Sequence, residues 1–300
     1  MNEVREGALR TPEERFESLP GFAWAPNYLD DLAGYEGLRA HYVDAGPTDA
    51  EVFLCLHGEP TWAYLYRRMI PVFTAAGARA VAPDFFGFGR SDKPIDDADY
   101  TFGFHRNYLL RLIERLDLRR ITLVCQDWGG LLGLTLPLDM PERFERLIVM
   151  NTTLGTGEGL NEGFLAWRAY MAKNPDLAVD NLMQRSCPHI SAAEAAAYAA
   201  PWPDQAHKAG VRRFPQMVPE NPGDEGAEIS RRARDWWRSV WTGKAFMAVG
   251  IQDPVLGPPI MSELCRNIKN CPEPFEVAEA GHFVQEWGEE VATAALAAFA

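Results

Sequence analysis

Six short apolar runs, interleaved with stretches of helical periodicity, constrain this chain more than any other feature. They are VFLCLH (52–57), ARAVAPD (78–84), ITLVCQD (121–127), RLIVMN (146–151), AFMAVGIQD (245–253) and PFEVAEAGH (274–282). Their hydrophobicity is continuous rather than alternating, which predicts strands covered on both faces, as in a parallel sheet. Amphipathic segments near 62–76, 104–117, 128–138, 258–268 and 284–299 supply the covering helices. Alternating strand and helix patterns predict an α/β sandwich.

The rhythm breaks once. From about 154 to 240 no buried strand is evident, and helical pieces such as EGFLAWRAYMAK (162–173) and AAEAAAYAA (192–200) take over. Strand–helix units then resume. A chain of 300 residues suits one large domain carrying an insertion. The expected division is a core of 1–153 and 241–300 with a helical cap at 154–240. Ligands of open α/β sheets bind at the carboxyl edge of the strands, so the insertion is expected to form a lid there.

Charge and cysteine usage narrow the partners. The net charge is −13 with no basic block, which argues against nucleic acid and anionic membranes. No apolar run approaches the ~20 residues of a bilayer span. The opening MNEVREGALRTPEERF is polar and charged rather than a signal peptide, so a cytoplasmic location is expected. The five cysteines (Cys55, Cys125, Cys187, Cys265, Cys271) are odd in number and none forms a C-x-x-C pair. That argues against a disulfide framework or a zinc site. NPGDEG (221–226) predicts a surface loop.

The chemistry concentrates where strands run into helices. In CQDWGG (125–130) a strand meets a glycine-opened helix around Asp127. A nucleophile elbow needs small residues two before and two after its centre, and Cys125 and Gly129 meet that need. On these residues alone Asp127 suits a helix N-cap equally well. LCLHGEPTW (54–62) turns sharply after a strand at Gly58, where a backbone N–H can contribute to an oxyanion hole. In AEAGHFVQEW (279–288), His282 stands between a strand and a helix, and in AVGIQDPVLGP (248–258) Asp253 follows a strand. Asn151 is the rival position for the acid, but an amide cannot be one. The order 127, 253, 282 is the α/β-hydrolase order of nucleophile, acid and histidine. His41, His105, His189 and His207 lack such a setting. His57 is read as shaping its turn, and PDFFGFGRSDKP (83–94) as loop architecture.

Taken together, HGEPTW (57–62), QDWGG (126–130), FLAWRAY (164–170), GIQDPVLGP (250–258) and AGHFVQE (280–286) resemble the motifs of a haloalkane dehalogenase of the α/β-hydrolase superfamily. The likeness spans nearly the whole chain. It is to the subgroup whose halide-binding pair is two tryptophans, with Glu59 and Trp167 the more specific positions. The resemblance implies an α/β-hydrolase fold: a mostly parallel sheet flanked by helices, with the helical cap inserted after the sixth strand. It implies Asp127 as nucleophile, His282 as base and Asp253 as its orienting acid. The backbone N–H groups of Glu59 and Trp128 would form the oxyanion hole, and the indoles of Trp128 and Trp167 would hold the halide. Phe164 would line the pocket from the cap, joined by Leu131, Val255 and Leu256. No cofactor or metal is implied. The partners implied are a small apolar halogenated substrate and a halide ion, and the protein is expected to be a monomer.

These residue types suit that reaction. An aspartate with the ordinary pKa of about 3.9 is ionised at neutral pH and needs no base to attack saturated carbon. Hydrolysis of the resulting ester does need a base. A departing halide carries charge but takes no proton, so it calls for donors, and the indole Nε1–H is donor only. A buried Glu59 side chain would need hydrogen-bond partners or a proton. The nearest alternative is an epoxide hydrolase, whose alkoxide must be protonated by tyrosines such as Tyr170 or Tyr198. Glu59 and Trp167 speak against it. A fluoroacetate-type enzyme would need a pair of arginines, and only Arg168 is near. No G-x-S-x-G motif supports a serine esterase, and a binding protein on this fold would be expected to lack a triad member.

Overall fold

Each of the six apolar runs forms a strand, and burial explains why. In the computed structural model, which describes residues 4–300, the three strands that start the parallel sheet are buried at every position. Residues 1–3, the first of the charged N-terminal stretch, lie outside the described residues. Eight strands form one sheet: β1 (Asn27–Leu29), β2 (Ala40–Ala45), β3 (Val52–Leu56), β4 (Arg79–Pro83), β5 (Ile121–Gln126), β6 (Phe144–Met150), β7 (Lys244–Gly250) and β8 (Phe275–Val277). Their spatial order is β8-β7-β6-β5-β3-β4-β2-β1. β3 to β8 are mutually parallel, while β2 pairs antiparallel with β4, and β1 antiparallel with β2.

The two antiparallel strands do not announce themselves as apolar runs. β1 has three residues, and β2 reads AHYVDA. The polar residue that interrupts β2, His41, is nevertheless buried, because its Nδ1 meets Asp84 Oδ2 at 2.6 Å. A buried polar group is tolerated once it is paired, and that pairing is tertiary, so the local pattern cannot show it.

The strand order reverses beside β3, with β4 on one side and β5 on the other. A crevice opens at such a switch point, outside the carboxyl ends of the strands. Leu56 of β3 is in register with Cys125 of β5, and Gln126 with Met150 of β6. Glu59, Asp127 and Asn151 therefore leave neighbouring strands at one level, and the Asp127 N–H donates to the Asn151 carbonyl at 3.0 Å.

Between β6, the sixth strand of this sheet, and β7 come five α-helices: Glu162–Lys173, Val179–Ser186, Ala192–Ala199, Ala209–Met217 and Ala227–Ser239. The first is capped by Asn161, whose side chain accepts the Phe164 N–H at 2.8 Å. The third carries a full capping box between Ser191 and Glu194. Buried Arg67 of the core ties that helix down. It donates to both oxygens of Glu286, at 2.6 and 2.8 Å, and to Glu194 at 2.9 Å. Among the described residues, no helix is long and apolar enough to cross a membrane.

Candidate active site

β5 ends at Gln126 and the helix Trp128–Gly133 starts two residues later, so Asp127 alone makes the turn. Its φ is +50° and its ψ −124°. A side chain rarely adopts a positive φ, and such strain persists only when the surroundings enforce it. They do so by close approach. A Cβ on Gly129 would stand 2.0 Å from the Leu56 carbonyl oxygen, and one on Gly58 would stand 2.4 Å from Asp127 Oδ1. The Asp127 side chain makes no capping bond to its helix. Its Oδ1 accepts the Glu59 N–H at 2.8 Å instead, and its Oδ2 stands 3.6 Å from Nε2 of His282.

His282 lies in the turn after β8, and its Nδ1 meets Asp253 Oδ2 at 2.8 Å. Asp253 is held from several sides. Its Oδ1 accepts the N–H groups of Val255 and Leu256 at 2.9 and 3.1 Å, and its Oδ2 accepts the Asn151 amide at 3.0 Å. Burial works to raise this carboxyl, but the facing imidazole and those donors hold it down at about 2. Burial works to lower His282, but the carboxylates of Asp253 and Asp127 prevail and raise it to about 10.

Glu59 behaves differently. Its side chain is buried, and Oε1 has no hydrogen-bond partner among the described residues. Burial pushes its carboxyl well above the usual range, and the Asp127 charge adds to the rise. His282 and the Trp167 side chain oppose it without prevailing. Burial and the neighbouring charge thus favour the protonated form of Glu59, and a proton is one of the two conditions under which a buried carboxyl is tolerated.

These groups face a chamber of about 190 Å³ lined by Glu59, Asp127, Trp128, Trp167, Asp253 and His282. Its apolar wall includes Phe164, Val255 and Leu256, three of the four expected pocket residues, joined by Leu182, Pro215 and Phe283. The fourth, Leu131, lines an adjoining cleft of about 200 Å³ that also reaches Asp127, Phe164 and Leu256. Trp128 packs against Phe214 with ring centres 4.7 Å apart, and Trp167 stacks on Tyr170 at 5.8 Å.

The residues that rival chemistries need stand elsewhere. No tyrosine lines the chamber. Tyr198 is buried against Glu286 and Arg67, and Tyr170 is exposed. Arg168 donates among the inserted helices to Glu220 and to the carbonyls of Pro215 and Val218. His57 shapes its turn, with Nδ1 on the Gly58 carbonyl and Nε2 accepting the Phe85 N–H. Cys125 is a buried packing residue, and burial pushes its thiol up. Two residues to which the sequence reading assigns no role contact this constellation. Asn151 braces Asp253 while also bonding Gly250, and Gln126 contacts His282. A polar residue closing the apolar run 123–125 at the end of β5 is the available signal for Gln126.

Comparison with known proteins agrees with this architecture. The family described as alpha/beta hydrolase fold matches residues 51–289. A haloalkane dehalogenase from Psychrobacter cryohalolentis is 45% identical over 292 residues, covering 95% of each chain. Another, from Mycolicibacterium paratuberculosis, is 41% identical over 93% of each. Among solved structures, the haloalkane dehalogenase DpaA from Paraglaciecola agarilytica, described as tetrameric, superposes with a TM-score of 0.95. It shares 57% identity, covering 97% of this chain and 98% of its own. The chain belongs to the haloalkane dehalogenases, hydrolases of the alpha/beta hydrolase fold that act on carbon–halide bonds.

Proposed function

We propose that this dehalogenase converts a haloalkane to alcohol, halide and a proton through an alkyl ester on Asp127, which water activated by His282 then hydrolyses. One observation carries the reading. The Asp127 carboxylate has one oxygen bound to the Glu59 N–H at 2.8 Å and the other facing His282 at 3.6 Å, on the wall of an apolar chamber shared with two indoles.

In the first step Oδ2 forms a bond to the halogen-bearing carbon and the halide departs with the bonding pair. No proton moves, so no base is needed. The Nε1–H groups of Trp128 and Trp167 receive the halide, each offering a donor on an apolar ring. Phe164, Val255 and Leu256 give an alkyl chain an apolar wall and keep bulk water from the attack.

In the second step water adds to the ester carbonyl carbon while His282 takes its proton. Asp253 keeps Nδ1 protonated and steadies the imidazolium. The developing oxyanion is Oδ1, which already lies against the Glu59 N–H, with the Trp128 N–H as the second donor. Losing one such donor costs roughly 3–4 kcal/mol of barrier. Collapse breaks the ester bond, releases the alcohol and restores the carboxylate. Water has then supplied one oxygen to Asp127, and a proton leaves with the halide.

Residues 154–240 act as the cap over this chamber, and helix Glu162–Lys173 brings Phe164 and Trp167 to it. Assembly is a choice between the expected monomer and the tetramer described for DpaA, and sedimentation of the purified protein decides it. The mechanism is tested by a single turnover in heavy-oxygen water. The label should enter Asp127, and label found only in the alcohol would refute the covalent route.

A further inference from the structure

Gln126 is the one polar residue in the last four positions of β5, and it is completely buried. Its Nε2 lies 2.8 Å from Nε2 of His282 and 3.2 Å from the His282 carbonyl oxygen. The carbonyl can only accept, so it fixes which end of the amide faces the histidine: the NH₂ group, with both hydrogens committed. An N–H directed at a ring nitrogen is a hydrogen bond only if that nitrogen carries a lone pair. With Nδ1–H directed to Asp253, that condition is met in the neutral tautomer, whose Nε2 is bare.

We propose that Gln126 is a positioning residue for the hydrolytic step: its amide, anchored on the His282 carbonyl, holds Nε2 of His282 unprotonated and turned toward the ester. This rests on His282 being the base proposed above.

The reason such a device is needed lies in the charges around the ring. Asp253 faces it from the turn after β7, Asp127 from the elbow after β5 and Glu59 from the loop after β3. Burial favours the neutral form of Glu59, but Asp253 and Asp127 favour the imidazolium, which cannot accept a proton from water. Alkylation removes the Asp127 charge and leaves Asp253. A donor bound to the neutral form of the ring opposes that remaining pull, and a base works best with its pKa close to the working pH. Gln126 thus offsets in the alkyl-enzyme what Asp253 would otherwise over-stabilise. Water approaches Nε2 from the chamber while the amide approaches from the sheet, so the two share the nitrogen until the proton moves.

The test follows ester hydrolysis against pH in single turnovers with 1,2-dibromoethane, reading the alkyl-enzyme by intact mass. In Gln126→Met the rising limb of hydrolysis should move up by about half a unit to one unit, the worth of one ordinary hydrogen bond. Its rate near neutral pH should fall about three- to tenfold and recover at higher pH. Gln126→Glu replaces the donor with an acceptor, so its limb should move further in the same direction. It also serves as the readout should the methionine variant fold poorly, with melting temperature and the alkylation burst reporting folding in each sample. A limb that stays in place, or a rate lowered equally at every pH, would overturn the inference and leave Gln126 a structural residue. His282→Ala runs alongside. If it stalls as the alkyl-enzyme while the limb of Gln126→Met has not moved, only this inference fails. If it turns over normally, the assignment of the base fails and this inference with it.

Discussion

The backbone N–H of Glu59 donates to Oδ1 of Asp127 at 2.8 Å, which makes the two carboxylate oxygens unequal before any substrate binds. The tethered oxygen is the poorer nucleophile because its lone pair is engaged. The other, Oδ2, faces the chamber side occupied by His282. In the proposed reaction, attack through Oδ2 would leave Oδ1 as the ester carbonyl, against the Glu59 N–H that is proposed to stabilise it when water adds. On that proposal, one hydrogen bond assigns separate tasks to the two oxygens. It is possible only because residue 58 is glycine, since a Cβ there would overlap Oδ1.

Asp127→Asn removes the charge proposed to drive displacement while keeping the volume. Halide release should fall by at least about 10³-fold, the scale on which nucleophile replacements act. Incubation with 1,2-dibromoethane should give no mass adduct, and an adduct that persists in this variant removes Asp127 from the nucleophile's role.

His282→Ala should separate the two steps. Alkylation uses no base, so one equivalent of halide should appear in a burst, after which turnover stops and the alkyl-enzyme accumulates. Stopped-flow halide detection with intact mass spectrometry reads both halves. Continued turnover at the parent rate would contradict the proposed base.

Glu59→Gln tests the neutral acid through stability. Burial holds the folded-state value of Glu59 well above the ordinary 4.5 that it takes in the unfolded chain. Between those values the native state binds more protons than the unfolded state, so stability falls as pH rises, by up to about 1.4 kcal/mol per pH unit. Glutamine has the shape of the protonated acid and no proton to lose. The variant should therefore melt above the parent at pH 8 and near it at pH 4.5. A melting-temperature difference that is the same at both pH values would show that Glu59 is not protonated in the fold.

The sheet and the site differed in how far local pattern could disclose them. The parallel strands were legible because covering both faces demands unbroken apolar sequence, and every functional position that followed such a run could be placed at its carboxyl end. The order of Asp127, Asp253 and His282 then sufficed to bring three distant residues into one proposal. The structure adds that their side chains do meet. What local pattern did not disclose shares one cause. β2 hides a buried histidine whose partner, Asp84, is 43 residues away, and Asn151 and Gln126 contact partners 102 and 156 residues away. Local sequence can mark a polar residue at the end of an apolar run, as at Gln126, but carries no trace of its partner. Leu131 shows the same limit in milder form. Its place in the elbow helix is evident from sequence, but whether it borders the chamber or the cleft beside it depends on how the 153–161 loop folds over.

Trp167→Phe asks whether the cap helps to hold the leaving group. Phenylalanine keeps an aromatic ring against Tyr170 and removes the Nε1–H. A hydrogen bond to a charged partner is worth about 1.5–3 kcal/mol, so chloride and bromide should bind roughly tenfold more weakly or worse. Quenching of tryptophan fluorescence by added halide measures the change, since Trp128 remains in the chamber to report it. Turnover should fall as well, because the donor that welcomes the departing charge is absent in the transition state. Halide affinity equal to the parent's would leave Trp167 as a packing residue of helix Glu162–Lys173, and halide stabilisation would then rest on Trp128 alone.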